Sequence, residues 1–122
     1  MTPATVISKS TDISKPEEVT ALLDMAIKQF GRIDYAVNAA GILGAPKRSH
    51  EMEIEDFDKM LAINYRGCWL CSREELKYMI NQEPLQSHDG RTGNRGAIVN
   101  IASQLGVVAR PTAREYRFIP LV

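Results

Sequence analysis

The chain has 122 residues, of which 44% are hydrophobic and 25% charged, and fifteen basic residues balance fifteen acidic ones. These values are typical of one globular domain and exclude a disordered or fibrous chain. Because the charges balance, we expect no nucleic-acid partner and no anionic membrane surface as partner. The sequence has no apolar run near the roughly 20 residues that cross a bilayer, so we expect a cytoplasmic protein.

The first predicted element is a short buried strand, "ATVIS" from Ala4 to Ser8, because β-branched residues dominate it. A helix follows. Ser14 and Glu17 have the spacing of a capping box, Pro16 suits the first turn, and Gly31 suits the C-terminal end. Between these ends, apolar residues recur every three or four positions and predict one buried face: Val19, Leu22, Leu23, Ala26, Ile27 and Phe30.

The segment "IDYAVNAAG", Ile33 to Gly41, predicts a buried parallel strand after a short turn, so the unit is β-α-β. Residues 42–52 predict a loop, and residues 53–80 carry apolar positions at helical spacing. Gly67 lies inside that helix, where it costs up to about 1 kcal/mol against Ala, so we expect a bend or a close contact there. The expected core residues of this helix are Phe57, Met60, Leu61, Leu70, Leu76, Met79 and Ile80.

Residues 81–96, "NQEPLQSHDGRTGNRG", predict a solvated surface loop. A phosphate-binding loop is the alternative, but neither a strand before it nor a helix N-terminus after it is predicted. The segment "GAIVNIAS", Gly96 to Ser103, then predicts another buried parallel strand.

Cys68 and Cys71 form a CxxC motif, which in other settings indicates a redox or zinc site. Here the pair lies in the middle of a predicted helix, and His50 and His88 have no ligand spacing relative to it. We therefore expect two reduced cysteines on the buried face of the helix and no metal site, with a thiol-redox protein as the alternative.

Four features share one pattern. Asn38-Ala39-Ala40-Gly41 ends a predicted strand, Asn64 lies in the next helix, Ser103 ends the next strand, and Tyr116 follows thirteen residues later. In open α/β sheets the carboxyl ends of the strands hold the ligand. In this order and at these distances, the features resemble the short-chain dehydrogenase/reductase family, from about Ala4 to Tyr116.

The resemblance implies a partial Rossmann-like, doubly wound parallel sheet with the family's third to fifth strands. It implies binding of NADP or NAD, with Asp12 and Ile13 contacting the adenine and residues 38–41 close to the cofactor ribose. It further implies that Ser103 binds the substrate carbonyl, that Tyr116 transfers the proton, and that Asn64 holds a water in the proton relay. The substrate is then a carbonyl compound or a secondary alcohol, and the cofactor supplies the hydride.

The sequence departs from the family at both ends, so we expect a truncated member. The family's Gly-rich turn between a strand and a helix is not found, and the position of its active-site Lys, four residues after Tyr116, holds Pro120. Without that ammonium group the phenol keeps a pKa near 10. We therefore expect residues 1–122 to form one partial domain, with residues 104–122 as an irregular tail.

Two functions follow from the resemblance. The first is an NAD(P)-dependent oxidoreductase, with a loop similar to that of fungal secondary-metabolism reductases, although the departures argue against cofactor binding and catalysis by the chain alone. The second is a catalytically inactive fragment that pairs with an intact relative or has no function. In the family the Asn64 helix commonly packs between subunits, so we expect homo- or hetero-oligomers through it.

Overall fold

A computed structural model describes residues 4–104 of the chain. Helices and strands alternate along it, and a short 3-10 turn, Ser49–Glu51, precedes the longest helical region. The elements are α1, Pro16–Phe30; β1, Tyr35–Asn38; α2, Ile54–Leu61; a π-helical turn, Ala62–Gly67; α3, Cys68–Met79; and β2, Ala97–Asn100.

The two strands form a parallel pair in which Tyr35 is opposite Ala97 and Asn38 is opposite Asn100. The chain between them passes through α2, the π-helical turn and α3. Helix α3 packs against β1, and α1 packs against α3. Parallel strands with a helical crossover define the α/β class. The α/β class and a parallel strand within each of the segments 33–41 and 96–103 are therefore confirmed. Both strands are shorter than predicted, and the prediction that they are buried is wrong, because Tyr35, Val37 and Val99 are exposed.

The core lies where α1, α2 and α3 meet, and Val19 and Met60 are fully buried in it. Phe30, Leu76 and Ile80 are exposed, so their predicted core positions are wrong. Phe30 lies on α1, Leu76 lies on α3, and Ile80 lies just past the end of α3. No described element packs over these three positions. The buried apolar side chains of the described chain are Val19, Leu23, Met60, Leu70, Cys71 and Met79.

The predicted strand from Ala4 to Ser8 is not formed. These residues have no regular secondary structure, and the side chain of Val6 is 85% exposed. A strand needs a neighbour that pairs with its N–H and C=O groups. In the described part of the chain the sheet consists of β1 and β2 alone, and neither lies beside these residues. The β-branched composition of residues 4–8 was therefore not sufficient to form a strand.

The ends of α1 match the prediction in part. Pro16 occupies the first turn, and Gly31 ends the helix in the left-handed conformation with φ of 80°. The capping box of Ser14 and Glu17 is wrong, because Lys15 is the N-cap and no side chain caps it. Ser14 instead donates two hydrogen bonds to the Asp12 carboxylate, from its N–H at 3.0 Å and its hydroxyl at 2.7 Å.

The predicted long helix exists as α2, the π-helical turn and α3 in one continuous run. Gly67 is the last residue of the π-helical turn and is buried. A Cβ atom added there would lie 2.8 Å from Cδ1 and 3.2 Å from the carbonyl oxygen of Ile13. The close contact predicted at Gly67 is therefore confirmed, and its partner is the segment that precedes α1.

Residues 81–96 form the predicted surface loop, where Gln86 and Thr92 make an isolated bridge and Gly90 has a φ of 76°. Of the predicted tail, residues 105–122 lie outside the described residues. Among residues 4–104, no helix has the length and apolar content to span a membrane. Within the same range, no three His, Cys, Asp or Glu side chains gather as metal ligands.

Candidate functional site

Two strand ends meet at one edge of the sheet. Asn38 ends β1 and Asn100 ends β2, and the two residues are opposite each other. The N–H of Ile101 donates to the Asn38 carbonyl oxygen at 2.9 Å, which keeps the chains together past the strands. Gly41 and Ser103 each follow three residues later, so they leave the sheet at the same edge. The structure thus places residues 38–41 and Ser103 at the same end of the sheet.

Asn64 lies in the π-helical turn and binds the backbone beside Gly41. Its Oδ1 accepts from the N–H of Ile42 at 2.8 Å, and its Nδ2 donates to the carbonyl oxygen of Ile42 at 2.9 Å. A Cβ atom added at Gly41 would lie 3.3 Å from the same Oδ1. Asn64 therefore fixes the position of the chain just after Gly41. A π-helical turn inside an α-helix is frequently found at a functional site.

Ala39, Ala40 and Gly41 are exposed at this edge, and Ser103 is half-buried. Small exposed side chains leave the backbone accessible to a ligand. The backbone of residues 39–41 is therefore accessible at this edge, where Ser103 also offers a hydroxyl. Tyr116, the predicted proton donor, lies outside the described residues.

Ile13 contacts the helical run that carries Asn64. Ile13 packs on Gly67, one turn after Asn64. Asp12 is exposed, and the hydrogen bonds from Ser14 hold the pKa of its carboxyl below the ordinary value. The N–H of Asp12 donates to Oε2 of Glu18 at 2.7 Å. Asp12 and Ile13 are thus held in place by contacts with Gly67 on one side and with Ser14 and Glu18 on the other. One carboxylate oxygen of Asp12 also lies 3.8 Å from the ammonium nitrogen of Lys15.

A cluster of polar side chains behind the strand ends was missed by the sequence analysis. The Asn38 amide donates toward the Asn100 side-chain oxygen at 3.0 Å, Glu75 Oε2 at 3.1 Å and Ser72 Oγ at 3.3 Å. The Ser72 hydroxyl also donates to Asn100 at 3.3 Å. Cys71, Glu75 and Met79 have helical spacing and are all buried, so the position of Glu75 on that face was the available signal.

Cys68 and Cys71 lie on α3 as thiols without a disulfide, and Cys71 is buried, as predicted. Burial raises the pKa of the Cys71 thiol to about 11, with a further contribution from nearby Glu75. Burial also raises the pKa of Cys68. A reactive redox thiol has a lowered pKa. The thiol-redox alternative is therefore unfavourable.

The exposed small residues and polar side chains at the edge of the sheet are consistent with a comparison of the whole sequence with known protein families. Residues 2–117 match the sequence profile of the family described as short chain dehydrogenase. The chain belongs to this family. The partial Rossmann-like fold expected from the resemblance is thereby confirmed.

Individual short-chain dehydrogenases agree with this assignment. The chain is 36% identical over 105 residues to the 3beta-hydroxysteroid dehydrogenase of Mediterraneibacter gnavus, covering 86% of this chain and 34% of that protein. It is 34% identical over 109 residues to the short-chain dehydrogenase srdC of Neurospora crassa, covering 86% of this chain and 40% of that protein. The chain thus spans well under half the length of these relatives.

A solved structure gives the same result for the fold. The chain superimposes on NAD+-bound xylitol dehydrogenase with a TM-score of 0.73 and 31% sequence identity, covering 87% of this chain and 36% of that one. The family's cofactor class is therefore a nicotinamide dinucleotide.

Proposed function

We propose that this chain supplies part of the active site of an NAD(P)-dependent oxidoreductase that interconverts a carbonyl compound and a secondary alcohol. The observation that carries the proposal is the edge where residues 38–41 and Ser103 leave the sheet, with Asn64 bound to Ile42 beside them. The bound cofactor supplies the hydride. Asp12, Ile13 and residues 38–41 would hold it.

The residues of this chain then have separate roles. The Ser103 hydroxyl donates to the substrate oxygen and favours negative charge there during reduction. Asn64 holds the chain after Gly41 and, through its polar side chain, orders a water in the proton relay. Tyr116 transfers the proton to or from that oxygen. Pro120, four residues later, brings no ammonium group to lower the pKa of the phenol, so proton transfer by this chain alone is slow.

The test is a fluorescence titration of the 122-residue chain with NADH and, separately, with NADPH. Because the family's Gly-rich turn is not found in the sequence, we expect binding that is saturable but weak, through residues 12–13 and 38–41 alone, and weaker again by at least about tenfold in Ala40→Leu because the larger side chain blocks approach to the exposed backbone. Ala21→Leu is the matched control, since Ala21 is also exposed but lies on α1. Binding that is absent, or equally strong in Ala40→Leu, would contradict a cofactor site at this edge.

A specific observation also favours a non-catalytic role, pairing of two chains through the Asn64 helix. An apolar groove of about 520 Å³ runs along α2 and the π-helical turn to Trp69, whose side chain is 54% exposed. Asp58 and Arg66 line it two helical turns apart. In a two-fold pair the same patch meets itself, so Asp58 of one chain faces Arg66 of its partner. We therefore propose a second copy of this chain as the occupant.

Sedimentation velocity tests the pairing. We expect Asp58→Arg to weaken the dimer through like charges, and the double variant Asp58→Arg with Arg66→Asp to restore it. Glu55→Arg is the control, because Glu55 is exposed on α2 and does not line the groove. A wild-type monomer at all concentrations contradicts the pairing, and a dimer unaffected by Asp58→Arg places the interface elsewhere.

We propose a fungal secondary-metabolism setting, supported by the match to the Neurospora crassa relative. A cytoplasmic location is part of the same proposal, and the buried thiol of Cys71 fits a reducing compartment. A panel of ketones and secondary alcohols tests the setting, and turnover of simple sugars alone would contradict it.

A further inference from the structure

Two adjacent glutamates of α3 are both buried, but within residues 4–104 only one of them has a cationic partner. Glu74 is 6% exposed, and the ammonium group of Lys77 lies 2.6 Å from its Oε1. Glu75 is 5% exposed, and among the described residues its hydrogen bond comes from the neutral amide of Asn38. A buried carboxyl without a cation is costly to ionise. Burial accordingly raises the pKa of Glu75, and the Asn38 hydrogen bond opposes the shift.

The Asn38 amide has more acceptors than hydrogens. Its Nδ2 carries two hydrogens, whereas Asn100, Glu75 and Ser72 place three oxygens within 3.0 to 3.3 Å of it. The bond to Asn100 joins the ends of β1 and β2. An ionised carboxylate is a much stronger acceptor than a neutral carboxyl. The charge on Glu75 therefore changes whether the two Asn38 hydrogens bond to the acceptors on α3, Glu75 and Ser72, or to Asn100 on the neighbouring strand.

The charged and titratable groups around Glu75 are few. On α3 they are the thiols of Cys68 and Cys71, which interact with it electrostatically. The two strands present the neutral amides of Asn38 and Asn100. From α1, Asp24 contacts α3 through a hydrogen bond from Tyr78. In the described part of the chain the proton equilibrium of Glu75 is thus set mainly by burial and by Asn38.

We propose that Glu75 is a positioning residue for the sheet edge that carries residues 38–41 and Ser103, and that the charge of its carboxyl sets the relative position of the two strand ends. In the proposed reaction Glu75 touches neither the substrate nor the cofactor. It acts through the side chain of Asn38 and the hydrogen bond from Asn38 to Asn100. The functional meaning rests on the proposed cofactor site, but the positioning itself is a property of the chain without nucleotide.

The sign of the stability effect follows from the raised pKa. The native state binds the Glu75 proton more tightly than the unfolded state, so stability is lost as pH rises from the ordinary pKa of glutamate through the folded-state pKa. Glu75→Gln removes this loss. The urea midpoint of Glu75→Gln minus that of wild type is therefore expected to increase with pH. A difference that is constant over pH 4 to 9 would contradict the proposed ionisation.

An NMR titration of the full 122-residue chain tests the positioning without nucleotide. In wild type we expect the backbone amides of residues 39–41 and Ser103 to shift with the same midpoint as the Glu75 carboxyl carbon. The shifts disappear in Glu75→Gln. They persist in Glu74→Gln, the matched control one residue away with similar burial.

Each result decides the proposal separately from the cofactor site. Amides that do not follow the Glu75 carboxyl in wild type overturn the positioning role even if Glu75→Gln fails to fold. Amides that titrate equally in a folded Glu75→Gln overturn it as well. If the chain does not bind NADH but its amides follow the Glu75 carboxyl as expected, the proposed function is contradicted and the positioning role of Glu75 is not.

Discussion

Asn64 is the residue whose side chain connects two segments of the candidate site. It both accepts from and donates to the backbone of Ile42. In Asn64→Asp, the acceptor for the N–H remains, but an oxygen replaces the donor that faces the Ile42 carbonyl. We expect a loss of about 1–3 kcal/mol in the free energy of unfolding. Urea denaturation measures it, with Asn94→Asp in the exposed loop as the control.

The Asn94→Asp variant is expected to change the unfolding free energy by less than about 0.5 kcal/mol, as an exposed substitution does. Equal effects at both positions would mean that the two Asn64 hydrogen bonds contribute little, and would remove the structural reason for placing Asn64 in the site.

Cys71 allows a second prediction at the same scale. Because burial raises its pKa to about 11, its thiolate fraction at pH 8 is on the order of a hundredfold lower than that of an ordinary cysteine. In the Cys68→Ser variant, alkylation of Cys71 by iodoacetamide is expected to be slow and to rise about tenfold per pH unit between pH 8 and 10. A plateau near pH 7 would revive the thiol-redox alternative.

Sequence patterns reached the site residues unequally. Asn38, Asn64 and Ser103 were selected from the sequence because their order and spacing resemble those of the short-chain dehydrogenase/reductase family. Glu75 was missed although its spacing from Cys71 and Met79 places it on the buried face, because a glutamate in a helix is ordinarily solvent-exposed. Its hydrogen bond comes from Asn38, 37 positions earlier in the sequence. Contacts between residues so far apart cannot be recognised in a short stretch of sequence.

At the scale of elements, the contact between Gly67 and Ile13 joins the helical run to the segment before α1. An added Cβ would lie 2.8 Å from Cδ1 and 3.2 Å from the carbonyl oxygen of Ile13. Gly67→Ala gains about 1 kcal/mol in helix propensity, whereas overpacking costs about 1–3 kcal/mol. We therefore expect a net loss of stability, measured by thermal or urea unfolding.

The double variant with Ile13→Ala separates the two contributions. With the Ile13 side chain shortened, Gly67→Ala is expected to cost less stability than in the wild-type chain, because only the 3.2 Å contact with the backbone carbonyl oxygen of residue 13 remains to oppose helix propensity. If Gly67→Ala stabilises the wild-type chain outright, the segment before α1 yields easily and does not hold Asp12 and Ile13 in place.

Helices were easier to predict than strands. Local spacing and the turn residues Pro16 and Gly31 were enough to locate α1, because helical hydrogen bonds form within the segment itself. The predicted strand at Ala4 to Ser8 failed because its hydrogen bonds must come from another strand. The π-helical turn was also missed, since it inserts a local change of hydrogen bonding that apolar periodicity does not show.

At the scale of the whole molecule, one face of the sheet is apolar and uncovered by the described elements. Val37 is 65% exposed and lies opposite Val99, which is 52% exposed. Tyr35 in β1 and Ile101, just past the end of β2, are also exposed. The alternation of strand side chains puts these four residues on one face, while α3 packs against β1 from the other. The parallel unit could be predicted from sequence, but the area left uncovered depends on how many elements surround it.

An exposed apolar face of this kind favours association, and a net charge of zero at pH 7 gives no repulsion against it. The double variant Val37→Thr with Val99→Thr keeps β-branched residues in both strands but makes the face more polar. We expect lower binding of the dye ANS and less light scattering on concentration near pH 7, with the thermal midpoint nearly unchanged. Val19→Thr, at a fully buried position of α1, is the contrasting control and should instead destabilise the fold by about 1–3 kcal/mol. Unchanged dye binding and scattering in the double variant would show that this face is covered in the intact chain.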